Sequence, residues 1–206
     1  MKILGVHIGV IEALLSLNAL MFLVRMLAPI PTFSLLALQP ATILQQPWTL
    51  VTSMFLHADL THIIFNMFAL YFFGNYLQQL VGEKNLLKAY FLGGIGGGLL
   101  FTASALILGI PDPETIGIGA SDGIFALAGA LAILRPYMRV MMMPIFIPMP
   151  LYISVFVFMV ALSFMPGVAW QAHLGGLIVG AIFGLLWKRR TVEIVGVQTP
   201  YGYRFY

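Results

Sequence analysis

The chain has 206 residues, of which 61 % are hydrophobic and 8 % charged, with a formal net charge of +3. Soluble globular domains carry roughly a quarter charged residues, so long apolar runs separated by short charged connections identify a polytopic membrane protein. The basic residues are scattered between runs rather than gathered in a stripe, which argues against nucleic acid as a partner. With no cysteine in the sequence, disulfides, thiol catalysis and cysteine-ligated metals are excluded.

The length suits about six spans joined by short loops, without room for a folded aqueous domain. The first predicted span runs from Gly9 to Leu27 and carries Glu12 and Asn18. Only one lysine precedes it and the apolar run continues too far for a cleavable signal, so it reads as a retained span. Glu12 lies near one end, where a carboxylate snorkels to water. Residues 28–50 contain no clear span: Pro29, Pro31, Pro40 and Pro47 interrupt an otherwise apolar stretch. Irregular backbone does not face lipid, so this segment is expected in the interface, with Trp48 as an anchor.

A second span is predicted over about 55–80, carrying His57, His62 and Asn66, and Gly82 to Lys88 reads as a charged turn. The third, 89–109, contains Gly93, Gly94, Gly96, Gly97 and Gly98, which let a neighbouring helix approach closely. An acidic loop, Pro111 to Thr115, leads into Gly117-Ile118-Gly119-Ala120-Ser121-Asp122-Gly123, and a fourth span runs from there to Leu134. Arg135 to Pro144 is a basic, methionine-rich connection. The fifth span, 148–165, opens with Pro148 and Pro150; the sixth, 168–187, ends at Lys188-Arg189-Arg190. This gives a six-helix membrane domain over 1–190 and a short, loosely ordered cytoplasmic tail over 191–206.

With both termini cytoplasmic, Lys2, Lys84, Lys88, Arg135, Arg139, Lys188, Arg189, Arg190 and Arg204 fall inside and only Arg25 outside. That imbalance sets the orientation. The even spans then all begin from the outer side, as does the loop carrying Asp112 and Glu114. His62, Ser121 and His173 each lie a few residues into an even span and so share one depth.

A serine and a histidine at one depth are the elements of serine hydrolysis. A hydroxyl becomes a good nucleophile when a base within hydrogen-bond reach takes its proton, and His173 can supply that base. The helix starting at Ser121 offers backbone N–H groups where negative charge would develop. His62 and Asn66, four residues apart on one face, add side-chain donors to the same oxyanion. No carboxylate is placed to orient the base, so a dyad is expected; Asp122 projects about 100° away around the helix and reads as helix-start stabilisation. His173, Gly176, Gly180 and Gly184 make one smooth face on the sixth span, and Ala126, Gly129 and Ala130 do so on the fourth, which would bring His173 onto Ser121. Taken singly, each of these residues reads more readily as a packing residue, an N-cap or polar glue between helices; together, at one depth and on one side, they favour the catalytic reading.

Together these residues resemble the rhomboid family of intramembrane serine proteases. Gly119-Ala120-Ser121-Asp122 resembles the family's nucleophile motif, Ala172-His173-Leu174-Gly175-Gly176 the motif carrying the general base, and His62-Ile63-Ile64-Phe65-Asn66 the motif assigned to the oxyanion hole. The resemblance covers residues 9–187 and implies an all-α, six-transmembrane-helix bundle with Ser121 and His173 catalytic. It gives supporting positions to His62, Asn66, Gly119, His57 and Phe125, the last stacking on His173. It also implies hydrolysis of peptide bonds in or near the transmembrane segments of membrane proteins, without cofactor or metal. The expected setting is the plasma membrane, with the active site opening outward, membrane-spanning substrates and the lipid bilayer as partners, and a monomer as the working state.

Four departures stand out. Thr49 follows Trp48 where arginine is common, Gln78 replaces a common glutamate, Asp122 replaces a usual glycine after the nucleophile, and Phe125 replaces a frequent tyrosine. A charge at Asp122 is expected to lower activity or alter its pH dependence. The first loop and the fifth span are both candidates for a lateral gate, and the resemblance favours the fifth span. The alternative readings are a catalytically silent rhomboid-like protein that binds client helices, a small transporter or channel, and a site built from His57, His62 and His173 for a metal. The presence of both Ser121 and His173, the lack of an inverted repeat and the other roles given to two of the histidines weigh against them.

Overall fold

The computed structural model describes residues 2, 3, 6, 7, 9–141, 147–165 and 167–195. Two short strands, β1 (Lys2–Ile3) and β2 (Val6–His7), pair antiparallel ahead of the first long helix. That helix, α1, spans Val10–Leu27 and keeps Ile11, Leu14 and Asn18 buried, while Glu12 is exposed. The proline-marked stretch forms α2 (Pro29–Leu36), a 3₁₀ turn (Pro40–Thr42) and α3 (Thr49–Thr52), which runs into a second 3₁₀ turn (Ser53–Phe55). In α2, Pro29 sits at the helix start, where its missing N–H has no intrahelical partner to lose.

α4 spans Leu60–Val81 and is set off from Thr49–Phe55 by a 97° bend. The expected span from residue 55 therefore starts five residues later, because Asp59 ends the extended segment and caps the helix, accepting from the His62 N–H as an N-cap carboxylate does. His57 lies in the bend, not on the helix. α5 covers Glu83–Leu108, so the charged stretch read as a turn is the first turns of a helix, with Gly82 at φ 79° making the corner.

α6, Ser121–Leu134, is 14 residues long and almost wholly buried. After it, β3 (Arg139–Met141), in the basic connection, pairs antiparallel with β4 (Pro148–Pro150), so the first three residues predicted for the fifth span are a strand and its helical part begins at Leu151. The fifth predicted span is composite: α7 (Leu151–Ile153), a π-helical stretch (Ser154–Met159) and α8 (Val160–Ser163). α9 extends from Trp170 to Val195, beyond the predicted end of the sixth span. Of the remaining tail, 196–206 lies outside the described residues.

Among the described residues, α1, α5 and α9 are long and apolar enough to cross a membrane, and the bent pair ending in α4 makes a fourth candidate. The architecture is an all-α membrane bundle with α6 at its centre, packed against α4, α5 and α9. The α6–α9 contact is built on absent side chains. A Cβ on Gly176, Gly180 or Gly184 would run into the backbone of Asp122, Ala126 or Ala130, one after another along the seam. On the third side, a Cβ on Gly175 would stand 2.7 Å from the Gly96 carbonyl, and one on Gly93 would overlap the Ala126 methyl. Lipid is as apolar as leucine, so helices in a membrane associate by close packing, and these glycines let three backbones approach at the level of Ser121 and His173. The small faces expected on the fourth and sixth spans meet as predicted.

Candidate active site

Ser121 is the first residue of α6, and Ala120, with no side-chain cap, precedes it. The N-cap reading of the serine is thereby removed. The first hydrogen bond of the helix runs from Ile124 N–H to the Ala120 carbonyl, so the N–H groups of Ser121, Asp122 and Gly123 have no carbonyl of their own turn to meet.

The approach to Ser121 is held by the proline-rich segment before α3. Leu38 and Gly117 exchange two backbone hydrogen bonds, 3.1 and 2.8 Å. The Gln39 amide donates to the Glu114 carboxylate at 2.6 Å and to its carbonyl at 3.1 Å. Ala41 N–H meets the Pro113 carbonyl at 3.0 Å, and Gly119 N–H meets the Ser53 carbonyl at 3.0 Å. Leu38, Gln39 and Ala41, in the stretch predicted as an interfacial segment, together with Ser53 beyond α3, thus clasp the loop that delivers the nucleophile candidate. Trp48 fixes the clasp by donating its indole N–H to the Leu35 carbonyl at 2.8 Å.

Gly119 has φ 132°, a conformation open to glycine and rarely to other residues. A methyl there would stand 2.9 Å from His62 Nε2 and 3.5 Å from Ser121 Oγ. The imidazole nitrogen and the hydroxyl therefore border one small space that only a glycine leaves open. Ala58 N–H donates to His62 Nδ1 at 3.3 Å. A nitrogen that accepts carries no proton, so the neutral ring bears its hydrogen on Nε2 and offers a donor to that space. Asn66 is buried and gives one amide hydrogen to the His62 carbonyl at 2.9 Å, which orients the side chain; its amide has a second hydrogen to offer.

His173 is clamped from two directions. Its ring stacks on Phe125 with centroids 4.2 Å apart and planes 17° from parallel, and its Nδ1 lies 2.7 Å from Ser163 Oγ. Nε2 is the ring nitrogen left for the cavity. Ser121 Oγ hydrogen-bonds to Asp122 Oδ1 at 3.4 Å, with no hydrogen bond to His173 among the described residues. Catalytic hydrogen bonds in substrate-free enzymes are often long or unformed. Asp122 is thus closer to the hydroxyl than the helical projection suggested, and its Cβ lies where α5 comes near, 2.7 Å from where a Cβ on Gly97 would stand.

A single cavity of about 920 Å³ collects Ser121, His173, His62, Asn66, Gly119 and Asp122, and it extends under α2 to Phe33. His57 and Phe125 are not among its lining residues. His57 is fully buried and sets its ring edge-on to His62 with centroids 4.9 Å apart, so it backs His62. A second cavity of about 70 Å³ lies on the far side of His173, bounded by Phe125, Ser163, Phe164 and Trp170. The sequence reading missed Ser163 and the clasp of 28–50. Ser163 has no motif signal, whereas Asp59 at an N-cap position before an apolar run was a readable cue to the bend.

The family model described as the rhomboid domain matches residues 44–190. RHOMBOID-like protein 12, mitochondrial, of Arabidopsis thaliana is 30 % identical over 151 residues, 65 % of this chain and 44 % of its own. Rhomboid protein 1, mitochondrial, of Saccharomyces cerevisiae is 26 % identical over 197 residues, 85 % of this chain and 52 % of its own. Rhomboid protease AarA of Providencia stuartii is 30 % identical over 158 residues, 67 % of this chain and 55 % of its own. The chain spans about half the length of the curated relatives it matches.

Proposed function

The chain belongs to the rhomboid family, and from that premise we propose that it is an intramembrane serine endopeptidase acting through Ser121 and His173. The carrying observation is the shared cavity, in which Ser121, His173, His62 and Asn66 converge from three helices.

In the proposed reaction His173 Nε2 takes the Ser121 hydroxyl proton as Oγ attacks the scissile carbonyl carbon. The C=O π electrons move to oxygen. That oxyanion is met by His62 Nε2–H, by the Asn66 amide and by the open N–H groups at the start of α6. The imidazolium then gives its proton to the departing amine, leaving an acyl-enzyme. Water attacks the ester with His173 again as base, and Oγ regains its proton. Before the first step the Ser121 hydroxyl turns from Asp122 toward His173, a rotation about one side-chain bond.

The chain is proposed to span the membrane six times, as one domain over 1–190, with α6 and the 151–163 segment as the two short spans. At 1.5 Å per residue α6 is about 21 Å long, short of the roughly 30 Å hydrocarbon layer. A helix of that length whose C-terminus reaches one surface starts below the other, which recesses Ser121. Both termini are assigned to the cytoplasm by the distribution of lysine and arginine, so the cavity opens to the outer side. The substrates are membrane proteins cut in or near a transmembrane segment, and the site needs no metal or cofactor. A plasma-membrane location follows for a cell without organelles; relatives named as mitochondrial make a mitochondrial membrane the other setting to examine.

The test is cleavage of a tagged single-span substrate by the purified protein in liposomes, beside Ser121→Ala. Loss of a catalytic serine lowers turnover by about 10⁶-fold in serine proteases, so no product is expected from the variant. Cleavage by Ser121→Ala at the wild-type rate overturns the mechanism. A folded wild-type protein that binds the substrate without cutting it replaces the protease by the client-binding reading.

A further inference from the structure

We infer that Ser163 is a positioning residue for His173, its hydroxyl oxygen accepting the Nδ1 hydrogen so that Nε2 is held as the base toward Ser121. The inference rests on the protease reading above and adds a third member to the expected dyad.

The Ser163 Oγ to His173 Nδ1 distance is 2.7 Å, and Ser163 is 3 % exposed, so water does not compete freely for the contact. A histidine ring has two torsions to fix. Stacking on Phe125 sets the plane of the ring but leaves it free to turn over in that plane. A bond at Nδ1 removes that freedom and decides which nitrogen faces the cavity. The hydroxyl could in principle donate to Nδ1, but the neutral ring would then carry its hydrogen on Nε2 and could not take a proton from Ser121. The competent arrangement is the other one, with Nδ1–H donating to Ser163 Oγ. When His173 becomes an imidazolium the same bond gains charge assistance. Ser163 thus occupies the place that a carboxylate holds in a serine triad, as a neutral group.

Ser163 is the last residue of α8, on neither of the helices that carry the reacting pair. The ring of the base is therefore oriented from the composite fifth segment.

The experiment compares wild type, Ser121→Ala, Ser163→Ala and Ser163→Thr on one single-span substrate, with the thermal unfolding midpoint measured for each. Wild-type cleavage that persists in Ser121→Ala overturns the protease reading and this inference with it. With cleavage that depends on Ser121, Ser163→Ala is expected to lower kcat by about 10- to 100-fold, the range of a hydrogen bond to a group that becomes charged. KM should stay within about twofold, because the bond acts on the base and not on substrate binding. Ser163→Thr, which keeps the hydroxyl, should recover kcat to within about threefold of wild type. Unchanged kcat in Ser163→Ala overturns the inference. So does an equal loss in Ser163→Ala and Ser163→Thr that follows a lowered unfolding midpoint, since the residue would then be serving the fold alone.

Discussion

Two walls meet at His173, and they are built differently. On one side α6, α9 and α5 are joined backbone to backbone: Cβ atoms on Gly175, Gly176 and Gly180 would collide with main-chain atoms of the neighbouring helix. On the other side the segment 151–163 changes from α to π and back, leaves Val157 56 % exposed and Phe156 38 % exposed, and touches His173 through Ser163 beside a cavity of about 70 Å³ that both residues line. The first wall fixes where Ser121 and His173 stand, because close-packed main chain has no rotamers to adjust. The second adds the Ser163 contact that orients a ring the first wall has already placed. Interruptions of α-helices by π turns concentrate at functional sites, and this one lies in the wall that contacts His173.

The largest expected effect comes from breaking the rigid wall. A Cβ on Gly180 would stand 2.6 Å from Ala126 Cα and closer still to its carbonyl oxygen, and valine adds two methyl groups beyond it. Gly180→Val should lose about 3 kcal/mol or more through overpacking, seen as a much lower unfolding midpoint in detergent and as abolished cleavage. A midpoint within about 2 °C of wild type would mean that the seam can open without loss, and the contrast between the walls would disappear.

Next in size is the stack that joins the two walls' work. Phe125 belongs to α6 and stacks on the His173 ring, whose Nδ1 meets Ser163. Aromatic stacking contributes about 0.5–1.5 kcal/mol beyond burial, so Phe125→Leu should lower kcat by about three- to tenfold with the fold intact. Phe125→Tyr, which keeps the ring, should preserve activity. A wild-type kcat in Phe125→Leu would show that the hydrogen bond alone orients the base.

What the sequence disclosed divides along the same line. The rigid wall is written in residue identities: Gly176, Gly180 and Gly184 at helical spacing, Ala126 and Ala130 opposite, Ser121 at a helix start. Such signals are local and periodic, and the structure brings Ser121, His173, His62 and Asn66 to one cavity. The stacking expected of Phe125 is also present. What stayed hidden depends on contacts between segments far apart in sequence. Leu38 paired with Gly117 follows from the clasp of one loop on another, which leaves no periodicity in either. Ser163 beside His173 depends on how the composite segment docks, and a serine ten positions before a histidine carries no spacing rule. His57 was placed on a span because the apolar run continues through it; the bend came from Asp59 competing for the helix start.

The smallest expected effect tests the looser wall where it faces outward. Val157 lies in the π stretch and is 56 % exposed, so it touches few protein atoms, and on the proposed six-span topology its methyl groups meet lipid. Replacing it with alanine removes contacts with a solvent as apolar as the side chain itself, leaves no internal cavity, and introduces the residue with the highest helix propensity. These terms are small and partly opposed, so Val157→Ala should unfold within about 0.5 kcal/mol of wild type, and the thermal midpoint should hardly move. The comparison with Gly180→Val matters more than either value alone. One variant adds carbon to a seam without space for it, and the other removes carbon from a surface that does not use it. If Val157→Ala lowered the midpoint as far as Gly180→Val does, the 151–163 segment would be as tightly held as the glycine seam, and the orientation of His173 would then be set by a wall no looser than the one that places it.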